Sequence, residues 1–293
     1  MSNFELTIIK KIQSFSNPFF DALFQLITVL GEEAIIITIL AFVYFTYDKR
    51  LGEKIAFSLF GSILINNTLK GIFVHKRPFE MYPDEVRAIR TKTATGSSFP
   101  SGHTQNAATF YTTLALRVQR KWFWILVNVL IFLIAISRLY LGVHFPKDVL
   151  VGTILGILWA WTGWYLYDRY SNTLKSKMLL FIIQLLIFTP FLFFHENLGL
   201  PIKISNDFYK IYSLYLGFIP AIYLENKYVN FSINVSIKKK TIRFLLSIVV
   251  LLGCMMGLKL IFPDKLIYTC LRYFLISFLG LGLFPFVIKK FNI

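Results

Sequence analysis

The sequence predicts an all-α fold, a polytopic membrane helix bundle of about nine transmembrane helices with an N-terminal interfacial helix. Of the 293 residues, 56% are hydrophobic and only 16% are charged, whereas soluble domains are about 45–50% apolar and about one quarter charged. The hydrophobic residues are also segregated into runs near twenty residues long, the length that a helix needs to cross about 30 Å of hydrocarbon.

The N-terminal residues precede the first long apolar run. Asn17-Pro18 interrupts residues 4–30, and Gly31-Glu32-Glu33 separates them from the first span. We therefore expect residues 1–32 to form an amphipathic or interfacial segment, and the sequence does not decide whether it spans. No cleavable signal is expected, because Lys10 and Lys11 are not followed by an apolar core that ends in a small-residue cleavage site.

Nine runs are predicted to span the membrane. They are residues 33–48, 55–74, 104–118, 122–140, 147–168, 178–195, 208–224, 243–262 and 268–288. The unusual polar motifs all fall between residues 70 and 148. The sequence therefore predicts a catalytic membrane core over residues 33–170 and a C-terminal transmembrane extension of unknown role over residues 171–293.

The net charge of +16 does not indicate a nucleic-acid-binding protein, because the basic residues are spread over loops between spans instead of forming one face. Anionic lipid headgroups are the expected counterpart. The positive-inside rule favours a cytoplasmic C-terminus, once eight basic residues in the two polar loops are set aside. Those are Lys70, Lys76, Arg77, Arg87, Arg90, Lys92, Arg138 and Lys147. This orientation predicts that the polar clusters share the extracytoplasmic face.

The first polar cluster runs from Lys70 to Pro78. Lys70 and Arg77 are seven residues apart, so two turns of a continuous helix would place them on one face. Pro78 would then end that helix. Alone, this pair also fits two cations that extend to the membrane interface.

The second cluster, Pro100-Ser101-Gly102-His103, opens the next predicted span. It combines a glycine that lets backbone amides approach an anion, a hydroxyl beside it and a histidine within reach. Alone, it also fits an ordinary helix cap with an incidental histidine.

The third cluster contains Ser137-Arg138, His144 and Asp148. Asp148 follows His144 by four residues, close enough on a helix to accept a ring N–H and to fix which nitrogen stays free. This spacing favours His144 over His103 as a nucleophile but does not decide between them.

Together the clusters supply three cations, a hydroxyl, a helix N-terminus, two histidines and one carboxylate. This set suits phosphoryl transfer, which requires cations and N–H donors around the phosphoryl oxygens, one in-line nucleophile and one acid. No carboxylate or Cys/His cluster has metal-ligand spacing, so the sequence predicts neither a metal nor a cofactor.

The patterns Lys70-x6-Arg77-Pro78, Pro100-Ser101-Gly102-His103 and Ser137-Arg138-x5-His144-x3-Asp148 resemble the three-part signature of the type 2 phosphatidic acid phosphatase superfamily. These membrane lipid phosphate phosphatases share a site with vanadate haloperoxidases. All eleven specified residues match. The resemblance covers about residues 18–170, and the four later spans resemble an extension found in some bacterial members.

The resemblance implies a role for each matched residue. His144 would attack phosphorus and form a phosphohistidine, with Asp148 orienting its ring. His103 would protonate the leaving oxygen and then activate water. The phosphoryl oxygens would be held by Lys70, Arg77, Ser101, Gly102 and Arg138.

The leading hypothesis is a multi-pass cell-membrane phosphatase that removes the terminal phosphate of a lipid phosphate or pyrophosphate on the extracytoplasmic face. Undecaprenyl pyrophosphate is the favoured substrate, because the resemblance places the site where the spent carrier is released. Phosphatidylglycerophosphate and phosphatidic acid stay open, as does the oligomeric state.

Functions of other classes are less favoured. A lipid transporter or flippase could use the site to bind a headgroup, but residues 178–293 carry few charges at mid-span. Membrane spans disfavour a haloperoxidase, and the intact motifs disfavour a catalytically inactive binding protein.

Overall fold

The computed structural model describes residues 3–195 and 199–293. Within these residues the chain is helical, and the one extended pairing is an isolated bridge between His195 and Ile204. The predicted all-α class is therefore confirmed. The helices are α1 (Asn3–Gln13), α2 (Pro18–Val29), α3 (Glu33–Phe42), α4 (Lys49–Ile72), α5 (Pro78–Met81), α6 (Gly102–Val118), α7 (Lys121–Tyr140), α8 (Pro146–Tyr170), α9 (Leu174–Phe188), α10 (Asn206–Leu224), α11 (Ile237–Ile261), α12 (Leu266–Phe278) and α13 (Phe284–Lys290).

Six helical segments of the described chain are long and apolar enough to cross a membrane. Short 3-10 or π-helical turns extend two of them beyond a single α-helix. The six are Lys49–Ile72, Lys121–Tyr140, Pro146–Tyr170, Leu174–Phe193, Ile237–Ile261 and Leu266–Lys290.

A seventh candidate span near the N-terminus is bent. Pro18–Val29 and Glu33–Tyr47 meet the length and composition requirement only as a pair, with an angle of 47° between them. The bend falls at Gly31-Glu32, where the sequence predicted a boundary. An interfacial location of the N-terminal segment stays a prediction.

The predicted count of nine spans is not confirmed. Residues 104–118 and 208–224 do form helices, α6 and α10, but neither is among the candidate spans in the described part of the chain. Helix α6 has only 17 residues, and buried Thr, Gln and Asn side chains lower its hydropathy. A helix enclosed by other helices can carry such residues because its polar groups bond internally instead of facing lipid.

Two compact units divide the chain. The first comprises Met1–Ile36, Gly61–Thr162 and Phe194–Ser205, and the second comprises Ile37–Phe60, Gly163–Phe193 and Asn206–Ile293. Every residue of the three polar clusters belongs to the first unit.

The first unit contains a buried polar column between α4 and α6. The Asn66 side-chain amide donates to Gln105 Oε1 at 2.8 Å, and Gln105 in turn donates to the Ser62 carbonyl at 2.8 Å. The Ser62 and Thr109 hydroxyls lie 2.7 Å apart. Asn66 also reaches the Pro100 carbonyl at 3.4 Å, so the column supports the start of α6.

Two glycines bring α8 close to α6 in the same unit. A Cβ atom at Gly152 would lie 2.7 Å from the Ser101 carbonyl oxygen, and one at Gly156 would lie 2.5 Å from the Gln105 carbonyl oxygen. Gly152 and Gly156 are four residues apart, which is the spacing of a small-xxx-small contact that lets two helices approach through their backbones. The contact sets the distance between the second and third polar clusters.

We expect Gly152→Ala to lower both thermal stability and activity. The added methyl group would press on backbone, which cannot rotate away, and overpacking of this kind costs about 1–3 kcal/mol. Differential scanning fluorimetry in detergent, together with phosphate release, would measure both effects. Gly253→Ala is the matched control, since a Cβ atom there meets nothing within 4 Å. Equal behaviour of the two variants would contradict the close-approach argument.

The second unit has its own core and its own buried charges. Phe57, Phe60, Phe181, Tyr215 and Phe218 pack ring against ring, with centroids 4.5 to 6.3 Å apart.

Buried Glu53 and Glu225 are each paired with a lysine, Lys177 and Lys49 respectively, and Asn226 donates to both carboxylates. These charges are therefore neutralised locally.

Candidate active site

The first polar cluster does not form the continuous helix that the spacing predicted. Helix α4 ends at Ile72, and Arg77 lies outside it as the residue that precedes α5. The segment between them bonds to the loop before α6: His75 N–H donates to Ser97 Oγ at 2.9 Å, and Ser98 N–H donates to the His75 carbonyl at 2.9 Å. Lys70 and Arg77 are thus carried by a helix end and a loop, because contacts with the loop before α6 replace the helix between Ile72 and Arg77.

Arg77 is almost fully buried, at 2% exposure. Its Nη1 donates to the Val143 carbonyl at 2.9 Å, and its Nη2 donates to the Thr95 carbonyl at 2.7 Å. Nη1 also lies 3.2 Å from His144 Nε2. Burial lowers the pKa of Arg77 to about 10, opposed by the charges of Glu80 and Asp148, so the guanidinium is a cation at neutral pH.

The second polar cluster forms the start of α6, as predicted. Ser101 is the N-cap residue, and its side chain makes no capping bond to the first-turn amides. Its hydroxyl instead lies 3.0 Å from Thr104 Oγ1. Its N–H donates to the Asp148 carbonyl at 3.0 Å. The first-turn amides of α6, beginning at Gly102, are therefore not satisfied by the cap side chain, which is the arrangement that helix N-termini use for anions.

Arg138 lies in the last turn of α7, and its side chain is fully buried, with 0% exposure. Its Nη1 donates to Thr28 Oγ1 at 2.7 Å. Within the described residues, its Nε and Nη2 have no hydrogen-bond partner. Unpaired buried donors are costly, so these two N–H groups fit an anionic ligand that accepts from both.

His144 and Asp148 flank the start of α8, and both are buried. Asp148 Oδ2 lies 3.5 Å from His144 Nδ1, an ion-pair distance that is longer than a good hydrogen bond. The same oxygen accepts from Ser98 Oγ at 2.5 Å and from Phe145 N–H at 2.9 Å. Asp148 thus faces Nδ1 of the His144 ring while it also caps the helix, in the manner of an acidic N3 residue.

The other ring nitrogen of His144, Nε2, faces Arg77. Because a guanidinium only donates, this contact requires an unprotonated Nε2, with the ring proton on Nδ1 toward Asp148. Burial, followed by the charges of Arg77, Arg138, Lys70 and His103, holds the pKa of His144 well below its usual value. At neutral pH the imidazole is uncharged, with a lone pair on Nε2.

Lys70 completes the set of cations. It lies in the last turn of α4, and its charge acts on both His103 and His144. The structure therefore brings all three predicted cations, both histidines, Asp148 and the α6 N-terminus into one place. Within residues 3–195 and 199–293, no group of three or more His, Cys, Asp or Glu side chains is arranged to hold a metal ion.

Three further residues support this site, and sequence reasoning assigned them no role. Ser98 holds Asp148, Thr28 holds Arg138, and Glu32 lies 3.9 Å from His103 Nε2. Ser98 belongs to the polar run Thr95-Gly96-Ser97-Ser98, which precedes the second cluster. Thr28 and Glu32 precede the motifs by about forty residues or more, so no local spacing connects them with the site.

Comparison with known proteins identifies the family. Residues 53–171 match the PAP2 superfamily, and residues 209–293 match the transmembrane extension of PAP2 superfamily phosphatases. The chain is 34% identical to the putative undecaprenyl-diphosphatase YbjG of Escherichia coli K12 over half of its own length and 75% of that protein. The chain belongs to the PAP2 superfamily. The resemblance drawn from the motifs is thereby confirmed.

Two further comparisons bear on this PAP2 protein. It is 32% identical to phosphatidylglycerophosphatase B of Bacillus subtilis 168, over 48% of the chain and 72% of that relative. The crystal structure of Aquifex aeolicus LpxE superposes with a TM-score of 0.50 and 26% identity, over 55% of the chain and 95% of LpxE. The protein is thus a membrane-integral member of a lipid phosphatase family.

Proposed function

We propose that this PAP2 protein is a metal-independent lipid phosphatase that cleaves the terminal phosphate of a lipid phosphate or pyrophosphate through a phosphohistidine on His144. The observation that carries the proposal is the environment of this side chain: an uncharged, buried imidazole whose Nε2 faces the guanidinium of Arg77 and on which the charges of Arg138 and Lys70 also act. A neutral nucleophile among cations is what attack on a phosphate dianion requires.

In the first step, Nε2 of His144 attacks phosphorus and the bond from phosphorus to the lipid or leaving phosphate oxygen breaks. The bonding electron pair stays on the leaving oxygen, which takes a proton from His103. Asp148 faces Nδ1 at 3.5 Å and stabilises the positive charge that the ring acquires. Lys70, Arg77 and Arg138 neutralise the phosphoryl oxygens.

In the second step, His103 takes a proton from water as the water oxygen attacks phosphorus. The nitrogen–phosphorus bond of the phosphohistidine breaks, and inorganic phosphate leaves. The Ser101 hydroxyl and the Gly102 amide lie at the start of α6 and supply the donors that a helix N-terminus offers to phosphate oxygens. Neutralisation by three cations takes the place of a metal ion.

The favoured substrate is undecaprenyl pyrophosphate. The relative from Escherichia coli is named an undecaprenyl-diphosphatase, and so is one from Sulfolobus acidocaldarius that is 32% identical. Phosphatidylglycerophosphate is the runner-up, supported by the Bacillus subtilis relative. The location of the site on the extracytoplasmic face of the cell membrane rests on the distribution of basic residues in the other loops.

The test is phosphate release by the purified protein in detergent. The panel contains undecaprenyl pyrophosphate, phosphatidylglycerophosphate, phosphatidic acid and a soluble ester, each measured with and without EDTA. We expect one lipid to be preferred, undecaprenyl pyrophosphate foremost, and we expect chelation to leave the rate unchanged because cations of the chain itself hold the phosphate.

Two outcomes would contradict the proposal. Inhibition by EDTA that a divalent ion reverses would rule out the metal-independent mechanism. Release from no substrate, with His144→Ala indistinguishable from the unchanged protein, would favour a headgroup-binding function such as lipid transport.

A further inference from the structure

The bend between α2 and α3 packs directly on the second polar cluster. A Cβ atom at Gly31 would lie 3.2 Å from the backbone carbonyl oxygen of His103 and 3.0 Å from the Ile134 side chain. Only a residue without a side chain permits this approach without displacing a neighbour. The next residue along the chain is Glu32, so the contact brings a carboxylate beside His103.

Arg90 holds Glu32 in that position. Its Oε1 accepts from Arg90 Nη2 at 2.8 Å and from Arg90 Nε at 3.0 Å. The same oxygen lies 3.9 Å from His103 Nε2. Arg90 belongs to the loop between α5 and α6 and has a left-handed backbone conformation, with φ of 57°. The two side chains and the imidazole are mostly buried, with 29%, 19% and 16% of Arg90, Glu32 and His103 exposed.

The charges around His103 are otherwise positive. Arg138 on α7 and Lys70 on α4 act on its ring, and the ring of His144 lies close enough to interact with it. Burial, followed by the charge of Arg138, lowers the pKa of His103 to about 4, and the carboxylate of Glu32 opposes this shift because it favours a protonated ring. Cations alone would remove the proton that a general acid must donate.

We propose that Glu32, clamped by Arg90, is a positioning residue for His103. It orients the imidazole and stabilises its protonated form, so that His103 can give its proton to the leaving oxygen as the phosphorus–oxygen bond breaks. The 3.9 Å separation is longer than a hydrogen bond, but contacts of catalytic groups tighten when the substrate's charge is present. This inference rests on the proposed function, since it assigns a partner to the acid of that reaction.

The proposal joins three separate parts of the chain. Glu32 comes from the bend after α2, Arg90 from the loop before α6, and His103 from the first turn of α6. The N-terminal region therefore contributes to the reaction although it lies outside the three motifs.

The experiment compares pH profiles of kcat for Glu32→Gln, Glu33→Gln and the unchanged protein. Glutamine keeps the shape of Glu32 and removes its charge. We expect the basic limb, which reports loss of the acid's proton, to move to lower pH by on the order of one unit in Glu32→Gln. The acid limb should stay in place, because His144 is unchanged. Glu33→Gln, the exposed neighbouring carboxylate, should leave both limbs unchanged.

Arg90→Gln tests the clamp. This variant releases the carboxylate of Glu32 from the partner that holds it beside His103, so the basic limb should move to lower pH, in the same direction as in Glu32→Gln and by a smaller amount. A purely structural role for the pair would move both limbs equally or neither. If Glu32→Gln yields too little folded protein by size-exclusion chromatography, the Arg90→Gln profile still decides the question.

A leaving-group comparison adds a second readout. General acid catalysis matters for an alkoxide but little for 4-nitrophenolate, which leaves without a proton. Glu32→Gln should therefore lower kcat about 10-fold or more for dodecyl phosphate and much less for 4-nitrophenyl phosphate.

The outcomes separate the two proposals. If the unchanged protein releases phosphate and His144→Ala does not, while Glu32→Gln has an unshifted profile and equal losses on both esters, the inference about Glu32 is wrong and the proposed function stands. If neither the unchanged protein nor any variant releases phosphate, the proposed function itself fails.

Discussion

Replacing His144 with alanine is expected to abolish turnover, lowering kcat by at least about 10³-fold, the scale on which loss of a nucleophile acts. The variant should fold normally. The His144 side chain makes its main contact with Arg77, and its removal leaves the hydrogen bond from Phe145 N–H to Asp148, which caps α8, intact. Phosphate release, with membrane expression as the folding check, measures the effect.

The same experiment can decide which histidine is the nucleophile, which the motif spacing alone left open. With 32P-labelled substrate and rapid quenching, acid-labile label should appear on the unchanged protein and be absent from His144→Ala. His103→Ala should accumulate label from 4-nitrophenyl phosphate, since that ester needs no acid to leave while the second step lacks its base.

His195→Ala serves as the control, because this histidine lies in the bridge to Ile204 and belongs to none of the three clusters. It should retain activity and labelling. Label retained in His144→Ala, or found on His103, would show that the assigned roles are wrong.

Arg77→Gln is expected to produce the second-largest loss, about 10²- to 10³-fold in kcat/KM. Arg77 is a buried cation that faces the nucleophile, and removing one preorganised charge of this kind typically costs that much. Glutamine keeps a donor near the Val143 and Thr95 carbonyls, which limits the structural damage.

The pH profile of Arg77→Gln should also change in a defined direction. The Arg77 charge is one of the causes that hold the pKa of His144 below its usual value. Removing it raises that pKa, so the neutral form is lost at a higher pH as the solution is acidified. The acid limb of kcat/KM therefore moves upward in pH, whereas a variant that only loosened the fold would lower activity at every pH alike.

Arg120→Gln is the matched control. Arg120 is exposed, precedes α7 and lies on the predicted cytoplasmic side. It should keep both the rate and the position of the acid limb. If the acid limb of Arg77→Gln moved to lower pH, or did not move, the electrostatic account of His144 would be contradicted.

The difference between the predicted and observed span counts has a physical cause. Residue-type hydropathy detects helices that face lipid, such as α7 and α11. Helix α6 instead carries Gln105, Thr109 and other polar side chains whose bonding partners come from α4 and α8. The sequence predicted a span at residues 104–118, and the helix forms there, but its packing against α4 and α8 depends on contacts between residues far apart in the chain.

The first motif shows the limit of local spacing. A separation of seven positions between two cations fits two turns of helix in any sequence, yet Ser97 and Ser98 bond to His75 in a segment that is not helical. The partners lie more than twenty residues away along the chain. Spacing predicted one helix face for Lys70 and Arg77, whereas a helix end and a loop carry them, and both charges act on His144.

The sequence by itself determined the helical membrane class, the superfamily and the eight candidate residues of the site, because these depend on composition and on residue types at short, fixed spacings. Tertiary structure alone decided which His144 nitrogen faces Arg77, that Ser98 and Thr28 hold Asp148 and Arg138, and that Glu32 lies beside His103. Each of these contacts joins residues far apart in the chain. Their distances are set by how closely the helices approach, as at Gly31 and Gly152, and no local pattern encodes that approach.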